Sequence, residues 1–113
     1  MNYKIVPTPE FIKEAKKLSK KHQKFSRDLQ SLQGMLMENP KVGVHLGNNC
    51  YKVRLRNTSV KKGKSGGFRI ITFFIDAENV IRLLSIYSKS EKESIPDIEI
   101  QRILKKNNLL WER

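Results

Sequence analysis

The segment Cys50-Tyr51-Lys52-Val53-Arg54-Leu55-Arg56 alternates apolar and basic side chains. Successive side chains of a β-strand point to opposite faces of its sheet. Read as a strand, the segment sends Lys52, Arg54 and Arg56 to one face and Tyr51, Val53 and Leu55 to the other. Three cations on one face of a sheet make an anion-binding surface. A Lys/Gly/Ser loop over residues 57–67 leads into Phe68-Arg69 and a second apolar run, and a third run ends in Tyr87-Ser88-Lys89.

Working outward, strands are expected over residues 50–56, 68–75 and 80–88. The second places Arg69, Ile71, Phe73 and Ile75 on one face, and Asp76-Ala77-Glu78-Asn79 turns the chain into the third. Both faces of the last two strands are largely apolar, so they belong in the middle of the sheet. Upstream, Tyr3-Lys4-Ile5-Val6 reads as a strand ended by Pro7. Thr8 caps a helix that Pro9 and Glu10 open. Phe11, Ile12, Ala15 and Leu18 form its apolar side, and Lys13, Lys16, Lys17, Lys20 and Lys21 the opposite one. A second helix starts at Phe25-Ser26 with Ser26 as its cap, uses Leu29, Leu32, Met35 and Leu36, and stops at Asn39-Pro40. Residues 40–49 read as a loop.

Downstream, Ser88/Glu91 and Ser90/Glu93 have the spacing of a helix start. Pro96 opens a last helix that runs to about Asn107, with Ile100, Ile103 and Leu104 inward. The apolar tail Leu109-Leu110-Trp111 is left to pack on the domain or on a partner. The order is strand-helix-helix-strand-strand-strand-helix. The expected fold is α+β, a single domain over residues 1–113, with helices on one sheet face and the cations on the other.

With 113 residues, 38% of them apolar, the chain can build one modest core. Its formal charge of +12 is unevenly spread. Residues 39–75 contain eight Lys/Arg and no Asp or Glu, whereas residues 76–113 contain seven of each sign. Such a footprint points to a polyanion, nucleic acid first and an acidic protein second. The single cysteine, Cys50, excludes an internal disulfide and fits a reducing compartment. No signal-peptide pattern and no apolar run long enough to span a membrane is visible, so the expected location is cytoplasmic.

Several chemistries fall away. Gly63-Lys64-Ser65 resembles the end of a phosphate-binding P-loop, but Thr58 stands where the first glycine is needed, and a strand follows rather than a helix. Neither His22 nor His45 has a Cys, His or Asp at ligand spacing, so no metal site or cofactor is expected. The acid-free central segment argues against carboxylate-held Mg²⁺. His45 is kept as a candidate only because its loop adjoins the basic strand. Cys50 reads as a small buried or edge residue rather than a nucleophile.

The Tyr-Lys-Val-Arg-Leu-Arg strand, the Lys-Gly-Lys-Ser-Gly-Gly-Phe-Arg-Ile-Ile sequence and the run Leu-Leu-Ser-Ile-Tyr-Ser-Lys-Ser-Glu-Lys together resemble the RelE/ParE toxin superfamily, and within it the HigB/RelE-like branch. The resemblance extends from Tyr3 to about Leu104 and is strongest over residues 50–95. It implies the toxin of a type II toxin–antitoxin system: a metal-independent endoribonuclease that cleaves mRNA on the ribosome. Its implied partners are mRNA, ribosomal RNA and a cognate antitoxin protein that wraps the toxin. Carried over by position, Lys52 and Arg54 match the paired cations of the first central strand, and Arg69 matches the arginine that contacts the scissile phosphate. Lys89 falls near a family arginine. Ile95 stands where the RelE member has a tyrosine, and Tyr87 is the aromatic residue nearest to replacing it.

Lys52, Arg54, Arg69 and Lys89 are therefore the candidate catalytic residues. Arg56, Lys61, Lys62, Lys64, Tyr87 and Lys92 are candidate RNA contacts. RNA carries its own nucleophile, the 2′-OH. Cleavage needs that hydroxyl placed in line and deprotonated, the phosphorane charge stabilised and the leaving oxygen protonated. Arg69 suits the charge, because a guanidinium forks onto phosphate oxygens. Lys89 suits the leaving group or the phosphate. Lys52 is the candidate base on the basic strand, since arginine stays protonated. Phosphate binding by Lys52 and Arg54 without proton transfer is the open alternative. A ParE-like inhibitor of DNA gyrase and a non-catalytic basic RNA-binding module are the competing functions. The first-helix face and Leu109-Leu110-Trp111 are the candidate antitoxin contacts.

Overall fold

The computed structural model describes residues 2–60 and 66–110. The elements in chain order are β1 (Lys4–Pro7), α1 (Pro9–Lys21), α2 (Phe25–Glu38), β2 (Val44–Gly47), β3 (Cys50–Leu55), β4 (Phe68–Phe74), β5 (Val80–Ser88) and α3 (Asp97–Lys106). The strands form one sheet in the order β1-β5-β4-β3-β2. β1 runs parallel to β5, and the other neighbours are antiparallel. The two strands with apolar residues on both faces, β4 and β5, are interior, as expected of strands covered from both sides.

One core lies between the sheet and the α1–α2 hairpin. Phe11, Leu18, Phe25, Leu32 and Leu36 meet Val53, Leu55, Phe68, Ile70, Phe74, Ile81, Leu83 and Ile86. Thr8 ties this layer to the sheet: its hydroxyl accepts from the Phe11 amide at 3.2 Å and donates to the Leu83 carbonyl at 2.8 Å. A second core lies on the opposite face, where Ile95, Ile100, Ile103 and Leu104 cover Cys50, Ile71, Phe73, Leu84 and Tyr87. The expectation that all helices share one face is thus corrected. α3 occupies the second face, alongside the cations, because its Ile100, Ile103 and Leu104 stripe matches the apolar end of β4 and β5 left uncovered by the hairpin.

Other expectations need correction. Ser26 does not cap α2. The N-cap is Lys24, which makes no side-chain cap bond, and its backbone amide donates instead to the Ser59 hydroxyl at 2.8 Å. Ile12 is half exposed rather than inward. Residues 40–49 are not all loop, since Val44–Gly47 form an edge strand against β3, closed by Asn48 and Asn49 at φ of 53° and 62°. An Asn pair tolerates the left-handed backbone that a tight hairpin turn demands. Residues 88–94 form a turn rather than a helical start, with the Glu91 and Lys92 amides both donating to the Ser88 carbonyl. Leu109 and Leu110 pack on the α3-side core, and Trp111 lies outside the described residues.

β5 contains a bulge opposite Ile71 and Thr72, which pair with Ser85 and Leu83 and leave Leu84 as the extra residue. A bulge resets the in-out alternation beyond it. Leu83 and Ile86 face the helix hairpin, and Leu84 and Tyr87 face the other side. Strict alternation from Leu83 would have turned Tyr87 into the hairpin core.

Cys50 is fully buried in the α3-side core, and burial pushes its thiol from the ordinary 9.0 up to about 12. The folded chain therefore resists a disulfide reagent at pH 8 and reacts only on unfolding, as absorbance labelling with and without urea will read. The unfolded thiol releases its proton first, so stability falls as pH climbs from about 9 towards about 12.

Candidate nucleic-acid interface

Three strands deliver the cations to one row. Arg54 on β3 lies directly opposite Arg69 on β4, and Arg69 lies directly opposite Tyr87 on β5. Directly opposed side chains in an antiparallel pair start about 5 Å apart, and like charges so placed destabilise the sheet. Lys52 projects from the same face of β3, two residues before Arg54. Among the described residues, none of Lys52, Arg54 and Arg69 forms a salt bridge. The fold thus holds a cluster of uncompensated positive charge together against its own repulsion.

Lys89 enters from just past β5. Its amide donates to the Gly67 carbonyl at 3.0 Å, and its Nζ pairs with the Glu93 carboxylate at 3.1 Å. Arg69 donates from Nη1 to the Gly66 carbonyl. Gly66 and Gly67 sit at φ of +107° and +57°. A Cβ on Gly67 would lie 2.4 Å from the Leu55 carbonyl oxygen, and one on Gly66 2.8 Å from Lys89 Cβ. The two glycines let the loop base close onto the end of β3 and onto Lys89, which keeps Arg69 and Lys89 side by side.

These side chains border a cavity of about 470 Å³. Its polar lining is Lys52, Arg54, Arg69, Tyr87, Lys89 and Glu93, and its apolar lining includes Met35, Val42, Val44 and Val53. A groove lined by both phosphate-binding groups and aliphatic side chains has the chemistry to seat a nucleotide, with its backbone on the cations and its base on the aliphatic groups. Tyr87 is buried, with its hydroxyl beside the Ile95 backbone. Burial pushes the phenol up, opposed by the Arg69 charge, so it stays a neutral donor.

The four candidate catalytic residues thus share one cavity, and Tyr87 joins them. Of the other described candidates, Arg56, Lys92 and His45 do not. Arg56 is exposed beyond the end of β3 and is not part of the cavity wall. Lys92 lies with its Nζ 5.5 Å from the Tyr87 ring centroid, on the side of the groove between α1 and α3. His45 is on β2 against Tyr51, with ring centroids 5.0 Å apart. Lys61, Lys62 and Lys64 lie outside the described residues. Sequence reasoning missed Glu93, which the Ser90/Glu93 spacing disguised as a helix start, and it missed Val42 and Val44, which belong to the segment read as loop. Among the described residues no three His, Cys, Asp or Glu side chains cluster as a metal site would require.

The strand end that carries the row is anchored from below. Asp28 on α2 is buried and accepts from the Thr58 hydroxyl at 2.6 Å and the Thr58 amide at 3.0 Å. The Asn57 side-chain amide donates to His22 Nδ1 at 3.1 Å. Asp28→Ala leaves two donors without their acceptor and should cost about 1–3 kcal/mol, read as a lower midpoint in urea unfolding.

No family model matches the chain. A structure of an E. coli RelE toxin double arginine-to-alanine mutant in the free state superposes with a TM-score of 0.59 at 22% identity, covering 82% of this chain and 90% of that one. The fold is that of RelE. The intact E. coli RelBE toxin–antitoxin complex matches at 0.56 and 23% identity, over 74% and 93% of the two chains. The RelE mutant bound to a peptide of its antitoxin matches at 0.58 and 20%, over 90% and 94%. The expected order of elements is therefore met, with β2 added.

Proposed function

We propose that this chain is the toxin of a type II toxin–antitoxin pair and acts as a metal-independent, ribosome-dependent endoribonuclease that cuts mRNA during translation. The observation that carries the reading is the opposed Arg54–Arg69 pair, flanked by Lys52 and Lys89 around one cavity. Two opposed arginines without a carboxylate partner make sense when an anion fills the space between them. In this reading Arg69 and Arg54 fork onto the phosphate flanking the cut and stabilise the charge that grows on its oxygens. Lys52 holds the backbone beside them. Lys89 reaches the leaving 5′-oxygen and supplies its proton. Arg56 and Lys92 lie outside the cavity wall, and they and the loop lysines 61, 62 and 64 serve backbone and ribosomal RNA contact.

The RelE fold supports the assignment, and RelE is itself solved with an antitoxin and with an antitoxin peptide. A cognate antitoxin is the expected partner of this chain, and the cytoplasm its place of action. No described helix is long and apolar enough to cross a membrane. The test is a map of 5′ ends on an mRNA translated in a purified system, beside the same RNA without ribosomes. Discrete cuts only in the translated RNA support the reading. Intact RNA would sink it, and intact RNA with inhibited DNA supercoiling would move the function to gyrase.

A further inference from the structure

The cavity contains one group of a kind that the sequence pattern did not lead to. Lys52, Arg54, Arg69 and Lys89 carry ammonium or guanidinium groups, which donate protons and accept none, and Tyr87 is a neutral donor. Among the described side chains bordering the cavity, that of Glu93 is the one carboxylate. It comes from the turn between β5 and α3 and is held against Lys89 at 3.1 Å. Its side chain is 88% exposed, so it is free to swing within the mouth of the cavity, and a pair so open to water yields readily to an incoming phosphate.

We propose that Glu93 is the general base of the cleavage reaction, taking the proton of the attacking 2′-OH. The role rests on the endoribonuclease reading above and replaces Lys52 in the part that sequence alone offered it. The substrate phosphate draws Lys89 away from Glu93 and onto the scissile bond. The 2′-OH proton passes to a Glu93 oxygen, the 2′-oxygen bonds to phosphorus, and the bond from phosphorus to the 5′-oxygen breaks. The leaving 5′-oxygen takes a proton from the Lys89 ammonium. The products are a 2′,3′-cyclic phosphate and a 5′-hydroxyl. The neutral carboxylic acid and neutral amine that remain restore their charges by passing one proton between them once the pair re-forms. Neither metal nor outside reactant is needed.

Lysine and carboxylate bases differ in how the rate depends on pH. The groups facing Glu93 across the cavity are Lys52 and Arg54 from β3, Arg69 from β4, Tyr87 from β5, and Lys89. None of them carries a negative charge. Single-turnover cleavage of a short mRNA held in stalled ribosomes is the measurement, for wild type, Glu93→Gln and Glu93→Asp. With a carboxylate base the wild-type rate is level between about pH 6 and 8, whereas a lysine base makes it climb nearly tenfold per unit there. Glu93→Gln should be slower by about 100-fold or more at neutral pH, and its residual rate should rise with pH as hydroxide takes over the task. Glu93→Asp should recover part of the loss and the level profile.

A Glu93→Gln rate equal to or above wild type overturns the proposal. So does a loss that is the same at every pH, which would mark Glu93 as a residue that only positions Lys89. A wild-type chain that leaves ribosome-held mRNA intact overturns the endoribonuclease reading, and the base falls with it. The first two outcomes leave that reading standing, so the two failures are told apart.

Discussion

Arg69→Ala should cut ribosome-held mRNA about 100- to 1,000-fold more slowly than wild type while remaining folded. Arg69 is the middle member of the row, opposed by Arg54 on one side and Tyr87 on the other. Its guanidinium is already aimed by the Gly66 carbonyl, so little rotamer freedom is lost when a phosphate arrives. Removal takes away the donors that charge on the phosphorane oxygens would meet, and such donors act most strongly in the transition state. The effect should therefore fall on the single-turnover rate more than on RNA affinity, since Lys52, Arg54 and Lys89 remain. Arg69→Lys restores the charge without the fork and should recover only part of the rate. Stability should change little, because the lost Gly66 contact is offset by relief of repulsion with Arg54. A melting curve close to wild type, together with an unchanged cleavage rate, would falsify the placing of Arg69 on the reacting phosphate.

The largest effect on stability is expected one residue earlier. Phe68 is fully buried and meets the rings of His22 and Phe25 edge-on, each at 5.3 Å between centroids. It joins the start of β4 to the junction of the two N-terminal helices. Phe68→Ala deletes the ring and leaves a cavity that strands on both sides prevent from collapsing, at a cost of about 3–5 kcal/mol. Domains of this size are stable by only about 5–15 kcal/mol, so the variant should melt more than ten degrees lower, at about 4 °C per kcal/mol. Phe68→Leu, which keeps most of the volume, should lose less than half as much. Urea unfolding with an unchanged slope and a midpoint shift below about 1 kcal/mol would show that the ring is not the joint described here.

The alternating basic strand was readable because its period of two is a direct consequence of the pleat, and it led to Lys52 and Arg54. The start of α1 was readable because Thr8, Pro9 and Glu10 each act locally on the first turn. β2 was not: four residues, two of them Gly and His, form a strand only because β3 offers them an edge. The side of the sheet taken by α3 was equally hidden, since a stripe of isoleucines says that a helix is buried but not where. Tyr87 depended on a single extra residue at Leu84, and no local pattern in an all-apolar run announces a bulge. Glu93 belongs to the same class. Its spacing from Ser90 is that of a capping box, and only the path of the turn brings it to the cations.

The position of β5 bears on how the chain is made. It follows the other described strands in the chain and yet lies between β1 and β4, so the sheet cannot be completed from one side. A nascent chain that has emerged only through β4 has no neighbour for β1 and no Tyr87 or Lys89 beside Arg69. Joining residues near 5 to residues near 81 also demands a long loop closure before any of those contacts stabilise it, which slows the final step. An incomplete chain therefore carries Lys52, Arg54 and Arg69 but neither Lys89 nor the cavity, and under the endoribonuclease proposal competence to cleave would arrive with the closing of the sheet rather than growing residue by residue.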